Sequence, residues 1–154
     1  MFYYYLAKMA SMLIELNNET TLHIDTEPLE QIASALTDRP IELIVTNNQE
    51  IQKLNQAHRQ KEKPTDVLSF PLEAQMPHAP LGSIVISEDF VRTKATEYGH
   101  TPQEELTLLF IHGLLHLLGF DHECDDGQMR KEEERLIKSW NLPESLIIRT
   151  EESQ

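Results

Sequence analysis

Residues 106–120, LTLLFIHGLLHLLGF, form the most apolar stretch of the chain. This stretch limits the fold more than any other, because a helix that is apolar on nearly every side has to be covered by other elements. Its start is well marked. Thr101 can cap the helix, Pro102 stands where a missing N–H does no harm, and Glu104 can reach back to the cap. The pattern predicts a helix running to Leu118, with Gly119 taking the left-handed conformation that ends a helix and reverses the chain. Two histidines, His112 and His116, interrupt the run, and a third, His122, follows the glycine.

Around this helix the hydrophobic periodicity alternates between strand and helix. Residues 12–16 suggest a strand, and residues 27–37 a helix through Leu29, Ile32, Ala33 and Leu36. Ile41 to Thr46 is a β-branched run and a second strand. Asn47 and Glu50 form a capping box for a helix that ends near Arg59. TDVLSFPL follows as a strand that Pro71 places at a sheet edge. LGSIVIS gives a fourth strand, residues 88–98 a helix stopped by Gly99, and residues 128–140 an amphipathic helix through Met129, Leu136, Ile137 and Trp140. A short coda follows Pro143. The expected fold class is α+β: a small mixed sheet of about four strands flanked by helices, with the histidine helix at the centre.

A length of 154 residues is one domain's worth. Residues 12–154 are expected to form a single hydrolase domain. Residues 1–11 read as an extension from an upstream start or as a first strand with an unusual flank. MFYYYLAKMASMLIEL lacks a basic leader and is interrupted by Lys8, so a secretory leader is not expected. No run reaches the roughly 18 apolar residues that cross a bilayer. The lone cysteine, Cys124, can form no internal disulfide. A soluble cytoplasmic protein without a membrane partner is the expectation. The formal net charge of −13 opposes diffuse attraction to polyanions. Lys53, Arg59, Lys61 and Lys63 nevertheless make a local basic cluster, whereas Glu123, Asp125, Asp126, Glu132, Glu133 and Glu134 crowd the segment after the histidines.

His112 and His116, four residues apart, share one helix face. A reversal at Gly119 can return His122 to the same point, giving the three-imidazole set of a catalytic zinc with one position open to water. Such coordination also offsets the cost of burying imidazoles among leucines. Imidazole ligands favour zinc over calcium or magnesium, and one Zn²⁺ per chain is expected. Asp121 could orient an imidazole or accept a proton. Cys124 is left outside the site.

The spacing H-x-x-x-H-x-x-G-x-x-H matches that of metzincin peptidases, except that their general-base glutamate after the first histidine is replaced by Gly113. A peptidase of that mechanism is therefore disfavoured. A phosphodiester suits a metal working with an arginine, since charge builds on phosphoryl oxygens. Arg59 is the arginine expected opposite the metal, because a guanidinium grips two phosphate oxygens at once. Lys61 is a plausible nonspecific phosphate contact, and Thr65 and Ser69 are candidates to face the cleft.

Two segments, LNQAHRQKEKPTDVLSFP at residues 54–71 and HGLLHLLGFDH at 112–122, resemble the YbeY family of bacterial rRNA-maturation endoribonucleases, with weaker agreement over nearly the whole chain from about Met12. The resemblance implies His112, His116 and His122 as zinc ligands and Arg59 as a functional arginine in a positively lined cleft. It implies metal-dependent cleavage of single-stranded RNA in rRNA maturation, above all at the 3′ end of the small-subunit RNA, and in ribosome quality control. The implied partners are single-stranded RNA and the ribosome or its proteins, with no DNA. Two positions depart from the family pattern: Ser83 where many members carry Asp, and His58 where tyrosine is common. Two other classes compete with the nuclease: a zinc peptidase or amide hydrolase on the same scaffold, and a non-catalytic ribosome-assembly factor whose metal is structural.

Overall fold

A computed structural model of the protein describes residues 12–59, 65–73, 76 and 78–152, the side chains of Arg59 and Glu152 excepted. Four strands form one sheet: β1 (Ile14–Asn18), β2 (Ile41–Thr46), β3 (Val67–Pro71) and β4 (Gly82–Ser87). Their spatial order is β1-β2-β4-β3. β1, β2 and β4 run parallel, and β3 is antiparallel to β4. Parallel neighbours need crossover connections. α1 (Glu27–Leu36) supplies the first, and α2 (Asn48–Arg59) with β3 the second. Then come α3 (Glu88–Tyr98), α4 (Pro102–Leu117), α5 (Gln128–Ser139) and α6 (Ser145–Glu152). None of these helices is long and apolar enough to cross a membrane.

The α+β expectation holds, and the strand that carries Pro71 is indeed at the edge. The first strand starts two residues later than the alternation suggests. The Glu30 carboxylate on α1 accepts the N–H groups of Leu13 and Ile14, and at the far end Asn18 Oδ1 accepts from Thr20 N and bends the chain away. Asn47 caps α2 by accepting from Glu50 N at 2.9 Å. The Glu50 carboxylate turns to Lys53 instead of closing the box.

Strand alternation splits the core. Leu43, Val45, Ile84 and Ile86 face α4, while Val85 and Leu68 join Ile51 of α2 on the opposite face of the sheet. α4 touches β3, β4, α1, α3, α5 and α6, the all-round cover that its composition requires. The capping box at its start forms as expected, Thr101 Oγ1 accepting from Glu104 N and Glu104 Oε1 from Thr101 N. Gly113 is where α4 rests on the sheet. A Cβ there would sit 2.8 Å from Ile84 Cγ2 and 3.2 Å from Ser69 Oγ, and the Ser69 hydroxyl donates to the Gly113 carbonyl at 3.1 Å.

The segment after Pro143 is a helix, not a coda. Leu146 of α6 is fully buried against Leu108 and Ile137, a contact that eight residues of weak periodicity do not announce. Arg149, 4% exposed, extends from α6 to Glu105 of α4 and to Asp66 ahead of β3, with Nε 3.3 Å from Glu105 Oε2 and a guanidinium N–H donating to Asp66 Oδ2 at 2.8 Å. Glu105 is wholly buried. Its Oε1 meets His100 Nε2 at 2.9 Å, and His100 Nδ1 meets the Ser145 hydroxyl at 2.9 Å. Burial pushes the Glu105 carboxyl above its ordinary value, and the charge of Arg149 opposes that shift.

Two outcomes follow from this packing. Gly113→Ala, which in a free helix would stabilise by about 1 kcal/mol, should destabilise this protein by about 1–3 kcal/mol through overpacking against Ile84, read as a lower urea midpoint at unchanged slope. Arg149→Met should cost about 3–5 kcal/mol, because it strands a buried carboxylate. The double variant Arg149→Met, Glu105→Gln should recover part of that loss in the same titration.

Candidate metal centre

The end of α4 builds the site. Gly119 adopts a positive φ of 103°, with Phe120 N donating to Leu115 O and Gly119 N to His116 O, both at 3.0 Å. This pair of bonds is the Schellman closure. A residue with a Cβ resists the backbone conformation that it needs. The reversal returns the chain past the last helical turn and brings His122 to the two helix histidines. One nitrogen from each of His112, His116 and His122 lies within 4.8 Å of the others, and the ring centroids are 4.7, 5.3 and 5.4 Å apart.

The outer ring nitrogens set the tautomers. His112 Nδ1 is hydrogen-bonded to Glu133 Oε1 of α5, and His116 Nδ1 to the carbonyl of Phe120 at 3.0 Å. A carboxylate and a carbonyl only accept, so each Nδ1 carries the proton and each Nε2 presents a lone pair. Those two Nε2 atoms lie 3.2 Å apart. Facing lone pairs at that distance require a cation, either a proton or a metal ion, and the third imidazole completes a set of nitrogen donors suited to zinc. A further sign agrees with a metal: Glu133 Oε2, beside His112, is buried without a hydrogen-bond partner. Burial, with the neighbouring His112 next, lowers the His116 pKa, the direction that favours the neutral ring ligation needs.

The imidazoles open onto a cleft of about 590 Å³. Val67, Ser69 and Pro71 of the edge strand line one side, Thr65 and Asp66 its near end, and Arg149 and Thr150 of α6 the wall beyond. Thr65 and Ser69 thus face the cleft as expected. Asp121 stands at the rim, exposed, with Oδ1 accepting from Glu123 N at 3.0 Å. That bond, followed by one from the Cys124 thiol, holds its carboxyl below the ordinary carboxylate value. Its hydrogen bonds serve its own turn, and the carboxylate that orients a ring is Glu133. Cys124 is exposed and lies outside the nitrogen cluster.

Arg59 is the last residue of α2. Its side chain, with Lys61 and Lys63, lies outside the described residues. Lys53 is exposed and pairs with Glu50 at 3.3 Å. His58 packs edge-on against Phe70, ring centroids 4.9 Å apart, which favours a packing role. Ser83 donates to Glu42 across the sheet at 2.7 Å.

Sequence reasoning placed Glu133 in an acidic, solvated run and Arg149 in the coda. For Glu133 a signal existed: it lies four residues from Met129 and from Ile137 and three from Leu136, on the buried stripe of α5. Glu132 and Glu134, off that stripe, pair with Arg135 and Arg130. The buried pair of Arg149 and Glu105 had no such mark, because it joins elements 44 positions apart.

Comparisons with known proteins agree with this geometry. The family model described as endoribonuclease YbeY matches residues 11–141. A relative named endoribonuclease YbeY from Sulfurovum sp. is 58% identical, the match covering 90% of this chain and 98% of that one. Another of that name from Aliarcobacter butzleri is 59% identical over 89% of this chain and 99% of its own. The solution structure of a Thermotoga maritima protein superposes with a TM-score of 0.57 at 28% identity, covering 91% of this chain and 93% of that one. On these matches, the chain belongs to the endoribonuclease YbeY family.

Proposed function

We propose that the protein is a cytoplasmic, zinc-dependent endoribonuclease that cuts single-stranded RNA during rRNA maturation, with the 3′ end of the small-subunit RNA as its principal site and the ribosome as its setting. The observation that carries the metal assignment is the pair of Nε2 atoms facing each other at 3.2 Å beside a third imidazole. The membership of the chain in an endoribonuclease family supplies the reaction class, hydrolysis of an RNA phosphodiester.

His112, His116 and His122 would hold one Zn²⁺ per chain. When bound, such an ion supplies Lewis acidity, drawing charge from a phosphoryl oxygen and making water more acidic. Arg59, at the end of α2, would grip the scissile phosphate through its bidentate donors. Thr65 and Ser69 offer hydroxyls along the cleft to ribose or phosphate oxygens. Asp121, ionised at the rim next to His122, is the carboxylate assigned to proton acceptance.

Position 113 argues against the peptidase alternative. The Cβ of a residue there would point at Ile84 and Ser69 rather than at the imidazoles, so the general-base glutamate of metzincins has no place in this packing. A closed structural metal is likewise unsupported, because the described donor cluster ends at three nitrogens.

The test is cleavage of a labelled single-stranded RNA by zinc-loaded protein. His116→Ala should abolish cleavage together with bound zinc, and Arg59→Ala should lower it about 10²-fold or more with zinc retained. Equal cutting by all three proteins would overturn the assignment. Asp121→Asn should lower kcat about 10²-fold without loosening the metal, checked by the pH dependence of kcat and by metal content. An unchanged kcat removes Asp121 from the chemistry.

A further inference from the structure

Three consecutive glutamates on α5 have different fates. Glu132 pairs with Arg135, and Glu134 lies 3.7 Å from Arg130, both pairs partly exposed at the surface. Glu133 turns inward and is 1% exposed. It sits on the stripe of Met129, Leu136 and Ile137, all buried, where an ionised carboxylate costs several kcal/mol unless something compensates it. Its Oε1 contacts His112 Nδ1, and its Oε2 has no hydrogen-bond partner. On the other side of the same ring, His112 Nε2 faces His116 Nε2 at 3.2 Å.

The two helix ligands are held in different ways. His116 gives its Nδ1 proton to a neutral acceptor, the Phe120 carbonyl of the turn. His112 gives its own to a charged one carried on a separate helix. A charged acceptor raises the electron density of the ring and the affinity of its other nitrogen for a cation.

We infer that Glu133 is the positioning residue of the metal centre: from α5 it fixes the proton of His112 on Nδ1 and so directs a strengthened Nε2 lone pair at the cation. This inference rests on the assignment of His112, His116 and His122 as metal ligands. It gives α5 a task in the chemistry, and it explains why one glutamate of the run is buried.

Zinc affinity, measured by competition with a chromophoric chelator, and the His112 tautomer, read from two-dimensional ¹H–¹⁵N NMR of metal-free protein, test it. Glu133→Gln keeps the shape and an acceptor but removes the charge, and should weaken zinc binding about 10-fold; Glu133→Leu should weaken it about 100-fold. In metal-free Glu133→Leu the His112 proton should leave Nδ1 for Nε2, a readout that loss of packing alone does not produce. If Glu133→Leu fails to fold, as judged by circular dichroism, Glu133→Gln carries the affinity test. Zinc affinity in Glu133→Gln within two-fold of wild type, or a proton that stays on Nδ1 in folded Glu133→Leu, overturns the inference. A wild-type protein that binds no zinc, or a His122→Ala variant that binds it equally well, overturns the ligand assignment instead, and the tautomer still decides what Glu133 does to His112.

Discussion

The structure turns on how closely helix α4 lies to the sheet. Where the Cβ of residue 113 would stand, the methyl of Ile84 and the hydroxyl of Ser69 already occupy the space. That closeness fixes the depth of the helix, and with it the height at which the next turn emerges beside β3. His112, next to this contact, and His116, one turn on, line the cleft. The same contact removes the position from which a peptidase of similar spacing works, so one packing constraint both builds the metal site and narrows the chemistry it can support.

Much of this was legible in the sequence because it is encoded locally. The Thr101 to Glu104 box, the left-handed stop at Gly99 and the edge position of Pro71 each depend on neighbours a few residues away, and each stands as expected. The histidine triad was legible for a related reason: its spacing around Gly119 is a property of one helix end. What escaped is held together over long separations. Glu105 looks like any acidic residue in a first helical turn until Arg149 arrives from the other end of the chain. The α6 helix has little periodicity of its own and exists because Leu146 finds Leu108 and Ile137.

Glu133 stands between these cases. Its position on the apolar stripe of α5 could have been counted from the sequence, yet its partner lies 21 residues away on another helix. A charged residue at a core position breaks the binary pattern of its helix, and in this fold the break marks a contact with a histidine of the cleft. Glu105 breaks the pattern of α4 in the same manner and marks a structural one. The distinction between the two lies in their partners: an imidazole of the histidine cluster in one case, a guanidinium shared with Asp66 in the other.

The three imidazoles do not share one degree of rigidity. Two are mounted on a buried helix with their outer nitrogens tied down, while the third hangs from an exposed turn just past the glycine reversal. An ion bound by the three would meet two donors already held and would have to immobilise one further side chain, so the entropic penalty of capture would fall mainly on a single residue. Release would likewise begin with that residue swinging outward, which would separate how tightly an ion is held from how quickly it exchanges.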